Sequence, residues 1–262
     1  MAGRIGRDMA KDHDSLTASQ FGAHARAYVE SAVHAGGADL LALTELAAEA
    51  RPGRALDLGA GGGHVTYALA AVSGSVAAVD LSSDMLAAIV AEAERRGLRN
   101  VETFRASAEA LPFADGHFDF VASRFSAHHW RNAPAGLREA RRALRPGGRA
   151  VFIDIVSSGA PSFDTHLQAV ELLRDVSHVR DYAVAEWAAM LDEAGFAVQA
   201  VQTWRLRMDF AAWTSRIGTA APLIEAIRIL QREASADVRN HFRIEDDGSF
   251  LLDAASFVAT AR

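Results

Sequence analysis

An α/β fold with a doubly wound parallel sheet is predicted by three observations. Between residues 51 and 156, short apolar runs of strand length alternate with stretches of helical apolar spacing. A glycine cluster, Gly59 to Gly63, joins the first strand of that series directly to its first helix. Gly and Pro punctuate the breaks. Strands that alternate with helices pair in parallel through right-handed crossovers, and the helices then cover both faces of the sheet.

Alanine is abundant and suits either face of a helix, so punctuation carries the boundaries. From Ser19 to about Glu49 the apolar spacing is helical, interrupted at Gly36-Gly37, which predicts two helices joined by a short turn; Arg51-Pro52-Gly53 stops them. Arg54–Leu58 reads as a buried strand, His64–Val72 as a helix and Ser75–Asp80 as a strand. In the next helix, Asp84–Arg96, Met85, Leu86, Ile89, Val90 and Ala93 share one stripe, with Ser82 or Ser83 placed to cap it and Gly97 to end it. Val101–Arg105 and Phe118–Ser123 are strands, Pro134–Leu144 a helix and Arg149–Val156 a strand, with Arg145-Pro146-Gly147-Gly148 as the break before it. Beyond, Ser162–Asp175 and Val184–Ala194 look helical, Phe196–Leu206 extended, and Phe210 to about His241 helical again. Asp246-Asp247-Gly248 signals a turn before a last strand, Ser249–Ala261. The helical insertion between the two late strands is expected to cap a ligand crevice. Residues 1–50 are then an N-terminal helical lid, 51–156 the core, and 157–262 the cap helices with the final strands of the same sheet.

Composition excludes several functions. Half of the 262 residues are hydrophobic and 23% are charged, which rules out a disordered chain. A net charge of −6 gives no reason to expect nucleic acid or an anionic membrane surface as partner. The absence of cysteine removes disulfides, thiolate zinc sites, iron–sulfur clusters and thiol nucleophiles, and fits a cytoplasmic setting. No run approaches the ~20 apolar residues that span a bilayer, and Asp8, Asp12 and Asp14 interrupt the N-terminal stretch where a signal peptide would need an apolar core.

Leu56-Asp57-Leu58-Gly59-Ala60-Gly61-Gly62-Gly63-His64 is the most informative stretch. Glycines between a strand and a helix let the backbone turn tightly and approach a ligand where Cβ atoms would intrude. A dinucleotide fingerprint requires glycine at position 64, which is His64, and the Gly-Lys-Ser/Thr of a phosphate loop is missing. Asp57, two positions before the loop, suits a cationic ligand better than a pyrophosphate. Asp80, at the end of the second strand, faces the same crevice and can accept from both hydroxyls of a ribose.

Together with Val79-Asp80-Leu81-Ser82, Ala106-Ser107-Ala108-Glu109-Ala110-Leu111-Pro112-Phe113, Phe118-Asp119-Phe120-Val121 and Leu144-Arg145-Pro146-Gly147-Gly148, the glycine loop resembles the ordered motifs of class I S-adenosylmethionine-dependent methyltransferases. The subgroup is that of the ubiquinone/menaquinone C-methyltransferases and malonyl-carrier-protein O-methyltransferases. The resemblance implies a Rossmann-like seven-stranded sheet with an antiparallel last strand, S-adenosylmethionine as cofactor and a small-molecule methyl acceptor, with monomer and homodimer both open. It implies that Asp57 lies near the methionine ammonium and that Gly59, Ala60, Gly61 and Gly63 pass under the methionine and ribose. Asp80 would bind the ribose hydroxyls, with Leu81 and Met85 beside the adenine. Ser107, where the family often has aspartate, would meet the adenine with Ala108 and Glu109, and Arg124 would touch the cofactor through its main chain. Tyr28, in a Phe-to-Tyr helix that resembles the subgroup's cofactor cover, would reach the methionine carboxylate or the acceptor.

Methyl transfer from a sulfonium demands alignment above all, so a base is optional. If one acts, His128 or His129, just after the fourth strand, is the first candidate, since imidazole titrates near neutrality; in the family such a pair also serves to shape the loop. Adjacent side chains point apart and no H-E-x-x-H spacing accompanies them, so no metal is expected. Residues 173–181 are unusually polar, placing either His178 or Arg180 at the cap or a solvated loop there. Trp187, Trp204 and Trp213 read as packing residues. Two further readings stay open: a nicotinamide-dependent oxidoreductase, against which His64 argues, and a cofactor-binding protein without catalysis.

Overall fold

The computed structural model describes residues 12–22 and 36–262. Its apolar runs become β1 (Arg54–Leu58), β2 (Ser75–Asp80), β3 (Val101–Arg105), β4 (Phe118–Arg124), β5 (Leu144–Ile155), β6 (Phe196–Met208) and β7 (Phe250–Ala261). They form one sheet in the order β3-β2-β1-β4-β5-β7-β6. The pairs among β1 to β5 are parallel, and β7 runs antiparallel between β5 and β6. β1 and β4 are neighbours from which the chain winds outward in opposite directions, so their carboxyl ends open the crevice where such sheets bind ligands.

The helices are α1 (His13–Gly22), α2 (Ala38–Ala50), α3 (His64–Ala70), α4 (Ser83–Arg95), α5 (Ala133–Ala143), α6 (Pro161–Arg174), α7 (Val184–Glu193), α8 (Phe210–Ser215), α9 (Ala221–Glu233) and α10 (Ala236–Phe242). Ser82 caps α4 as expected, accepting from the Met85 amide. Three boundaries differ from the sequence reading by more than two residues or by a division. α1 begins at His13, ahead of the Ser19 start. The segment 210–241 is three helices: Asp209 and Ser235 cap α8 and α10, Gly218 takes φ +67°, and Pro222 stands in the first turn of α9. β5 starts at Leu144, because the Arg-Pro-Gly-Gly break bulges out of a strand that has already begun: Leu144 pairs with Phe118 and Arg149 with Phe120.

Both faces of the sheet are covered. Leu56, Leu58, Phe152 and Phe257 pack with Trp187 and Phe196 on one side, and Ala55, Phe120 and Val151 with Leu43 and Leu69 on the other. A third cluster joins the cap to the ends of the late strands, through Trp213, Ile227, Phe242, Ile155, Met208 and Leu252. No helix among the described residues is long and apolar enough to cross a membrane.

Candidate functional site

The turn after β1 is held by its neighbour strand, since the Gly59 and Ala60 amides both donate to the Val79 carbonyl at 2.9 Å. Gly59 sits at φ +72°, and a Cβ there would collide with the Ser126 hydroxyl at 1.8 Å, so glycine lets the loop after β4 close against it. Gly61, at φ +50°, has nothing within 4 Å of its would-be Cβ; the chain is bare where it faces the crevice. The Gly61 and Ser82 amides donate to opposite oxygens of Asp80, at 2.9 and 2.8 Å. Burial pushes the Asp80 carboxyl up and these amides oppose the rise. Asp57 is 1% exposed and accepts from the Thr66 hydroxyl at 2.5 Å; burial, only partly offset by that hydrogen bond, lifts it to about 7.

A cavity of about 1010 Å³, counting its open mouth, lies over this loop. Of the residues singled out from the sequence, Asp57, Gly59, Ala60, Gly61, Asp80, Leu81, Ser107, Ala108, Glu109, Arg124 and His129 line it. Gly63, Met85 and His128 do not. Gly63 backs onto the Tyr67 ring, and Met85 is wholly buried inside α4. Tyr28 lies outside the described residues. Ser107 accepts from the Glu109 amide, and Glu109 from the Asn132 amide at 2.9 Å, which fixes the turn after β3 to the start of α5. The Arg124 side chain is buried, its Nε donating to the buried Asp39 of α2 at 2.6 Å.

α1 roofs this cavity with Asp14, Thr17 and Phe21. His13 Nε2 donates to the His129 carbonyl at 2.9 Å, Arg131 meets Asp14 at 3.2 Å, and the Phe21 ring stands edge-on to His129 at 4.8 Å. A second cavity, about 580 Å³ with its mouth, opens beyond and shares Phe21, Phe125 and His129 with the first. Phe125, which the sequence reading passed over, holds φ +52°, strained for an aromatic residue and placed at the wall common to both.

The two histidines differ sharply. Burial works against a charge on His128, yet Asp154 at 2.5 Å, with Asp181 and Glu171 further off, raises it to about 9. For His129, burial and the neighbouring His128 cation lower it to about 3. His129 Nδ1 donates to the Ser177 carbonyl at 3.2 Å, which leaves Nε2 as the lone-pair nitrogen. The polar stretch 173–181 is no solvated loop: Asp175, Ser177, His178 and Asp181 are buried, and the Val179 and Arg180 amides donate to the His128 carbonyl. His178 donates to Gln168 at 2.8 Å, and Arg180 pairs with Asp164 and Glu186. Ligand atoms of His128, Asp154 and Asp181 lie within 4.8 Å of one another. Sequence spacing could not reveal that grouping, because its carboxylates arrive from β5 and from the loop after α6.

A model of the methyltransferase domain matches residues 56–152. The uncharacterized protein YafE of Escherichia coli is 46% identical over 191 residues, covering 73% of this chain and 92% of YafE. The uncharacterized methyltransferase YcgJ of Bacillus subtilis is 33% identical over 224 residues, 86% of this chain and 88% of YcgJ. The YcgJ crystal structure superposes with a TM-score of 0.82 at 31% identity, covering 86% of this chain and 98% of that one. The ubiquinone/menaquinone biosynthesis C-methyltransferase UbiE of Shewanella oneidensis is 36% identical over 110 residues, 40% of this chain and 44% of its own length. With its glycine loop, sheet order and these relatives, the chain belongs to the class I S-adenosylmethionine-dependent methyltransferases.

Proposed function

We propose that the chain binds S-adenosylmethionine over the glycine loop and passes its methyl group to an O, C or N nucleophile of a small molecule in the adjoining cavity. The observation that carries this is the meeting of the two cavities at Phe21, Phe125 and His129. The loop fits the cofactor: Gly61 leaves the space a Cβ would fill, and Asp57 is a buried carboxylate held against ionisation until a cation stands beside it. Asp80 uses each oxygen once toward backbone, which leaves lone pairs for two hydroxyls. Leu81 and Ala108 give the adenine end an apolar wall.

When bound, the cofactor supplies a methyl group already activated by its sulfonium. The remaining tasks belong to the chain. The wall of Phe21, Phe125 and His129 fixes the line along which donor and acceptor face each other, and such alignment is worth roughly 7–11 kcal/mol in favourable cases. α1 excludes water. His128, bonded through Nδ1 to Asp154, is held charged and has no lone pair to offer, and His129 is held neutral with Nε2 as acceptor, a weak base whose part is secondary to alignment. Asp175 Oδ2, 3.8 Å from that nitrogen, favours the proton once it arrives.

Calorimetry with S-adenosylhomocysteine tests the assignment. Binding in the micromolar range is expected, and Asp80→Ala should weaken it by about a hundredfold or more, the loss of two charge-assisted hydrogen bonds. No binding at millimolar ligand overturns it.

A further inference from the structure

Beside the paired histidines lies a buried group of acids that methyl transfer does not call on. His128 comes from the turn after β4, Asp154 from β5 and Asp181 from the segment after α6, and one ligand atom of each lies within 4.8 Å of the others. Asp154 and Asp181 are each 1% exposed, and the buried Glu171 stands near both. Among the described residues, all but one of these carboxylates has its partner. Asp154 Oδ1 accepts from His128 Nδ1 at 2.5 Å and from the Ile155 amide at 2.9 Å. Glu171 lies 3.7 Å from Arg174 Nη1, and Asp175 accepts from the Ser177 amide and hydroxyl. Arg180 is committed to Asp164 and Glu186. Asp181 is left over: its Oδ2 is buried without a hydrogen-bond donor, and His178 Nε2, 3.9 Å away, is bonded to Gln168 instead.

The acid is held in this position by its own backbone. Gln168 grips Asp181 from both sides, accepting from its amide at 3.1 Å and donating to its carbonyl at 2.8 Å. A buried carboxylate with no donor is costly unless it takes a proton or meets a cation. We propose that His128, Asp154 and Asp181 form a site for one divalent transition-metal ion, such as Mn²⁺, Co²⁺ or Zn²⁺. Ligand atoms about 2.1 Å from such an ion stand roughly 3–4 Å apart, so small side-chain shifts close the three around it. An imidazole among the carboxylates favours these ions over Mg²⁺ and Ca²⁺, which prefer oxygen alone. The ion takes the place of the proton on His128 Nδ1, which leaves to solvent. It joins the turn after β4, β5 and the segment after α6 at the wall of the second cavity, which His128 lines. Spacing along the chain argues against a metal because it sees only His128 and His129, whereas the carboxylates arrive from elsewhere.

Cobalt gives a readout that needs no acceptor. Protein without a histidine tag is stripped with a chelator, dialysed and titrated with Co²⁺, following the visible absorption of the bound ion and, separately, thermal denaturation. One equivalent is expected to bind with a Kd of about micromolar order, to be displaced by Zn²⁺ and to raise Tm by several degrees. Asp181→Asn should weaken Co²⁺ by about tenfold or more, and His128→Gln should do the same. Both variants must bind S-adenosylhomocysteine as the stripped parent does, which establishes that they fold. No absorption band at millimolar Co²⁺ overturns the site and leaves Asp181 a protonated acid; binding that neither substitution weakens overturns it too. S-adenosylhomocysteine calorimetry on the stripped parent keeps the two readings apart. Cofactor binding without Co²⁺ binding overturns the metal site alone, and Co²⁺ binding without cofactor binding overturns methyl transfer alone.

Discussion

Asp57 is the residue where stability and function conflict. Its carboxyl is raised in the native state to about 7 from an ordinary value of 3.8, chiefly by burial. Between those values the unfolded chain has lost the proton and the native chain has kept it, so native stability falls as pH rises through the window and the full cost stands above about 7. Asp57→Asn keeps an acceptor for Thr66 and removes the charge. At pH 8 the ligand-free variant should melt a few degrees above the parent, at pH 3.5 the two should coincide, and S-adenosylhomocysteine affinity should drop by about tenfold or more. Thermal denaturation at both pH values and calorimetry check this; a variant no more stable at pH 8 refutes it. Asp57, Asp80 and the glycines were legible because their chemistry and their spacing coincide along the chain. Met85 lies on the helix the sequence assigns it to, but only packing decides which way its side chain turns, and it is buried outside the cavity lining. Asp154 went unnoticed for another reason: it lies outside the motifs and becomes a neighbour of His128 only after β4 and β5 pair.

Among the elements, α1 joins parts of the molecule that the sequence leaves unconnected. It touches the loop after β4 through His13 and Asp14, and its Gln20 side chain donates to the Ile217 carbonyl in the cap at 3.3 Å. Few of its side chains are buried, Thr17 being one, so its local stability is expected to be low without ligand. Saturating S-adenosylhomocysteine should slow amide exchange across residues 13–22 by about tenfold or more while leaving β4 and β5 unchanged. Unaltered exchange in α1 would remove it from the role of lid. The strands β1, β2 and β3 were legible to the residue: Gly53 and Gly59 bound β1, Gly74 precedes β2, and both are buried on both faces, while β3 is a short, half-buried edge strand. The cap was not: the apolar periodicity over 210–241 continues across both breaks, at Gly218 with Pro222 and at the Ser235 cap.

Over the whole molecule, the two halves of the sheet meet different fates. β1 to β4 present the crevice, whereas β5, β7 and β6 hold the cap through side chains they share with it. Phe257, on β7, is fully buried and stacks on Trp187 with centroids 5.2 Å apart. Phe257→Ala should cost about 3–5 kcal/mol, measured by urea denaturation, with S-adenosylhomocysteine affinity of the folded fraction unchanged; a cost below about 1 kcal/mol would show that the half of the sheet it joins contributes little to stability. The parallel half was readable from alternation alone, but the antiparallel pairing of β7 came from the family resemblance, since a strand's direction is fixed by its neighbours and leaves no mark on its own residues.

The position of β7 also sets a timetable for synthesis. It is the last strand to be made, yet it lies inside the sheet, so while residues 250–261 are still within the ribosome β5 and β6 each face a missing neighbour. Two edges then stand unpaired during translation, the condition under which nascent chains stick to one another. The glycine loop and Asp80 leave the ribosome early and can be in place beforehand, but the second cavity, with Leu252 in its wall, can form only after β7 has slotted home.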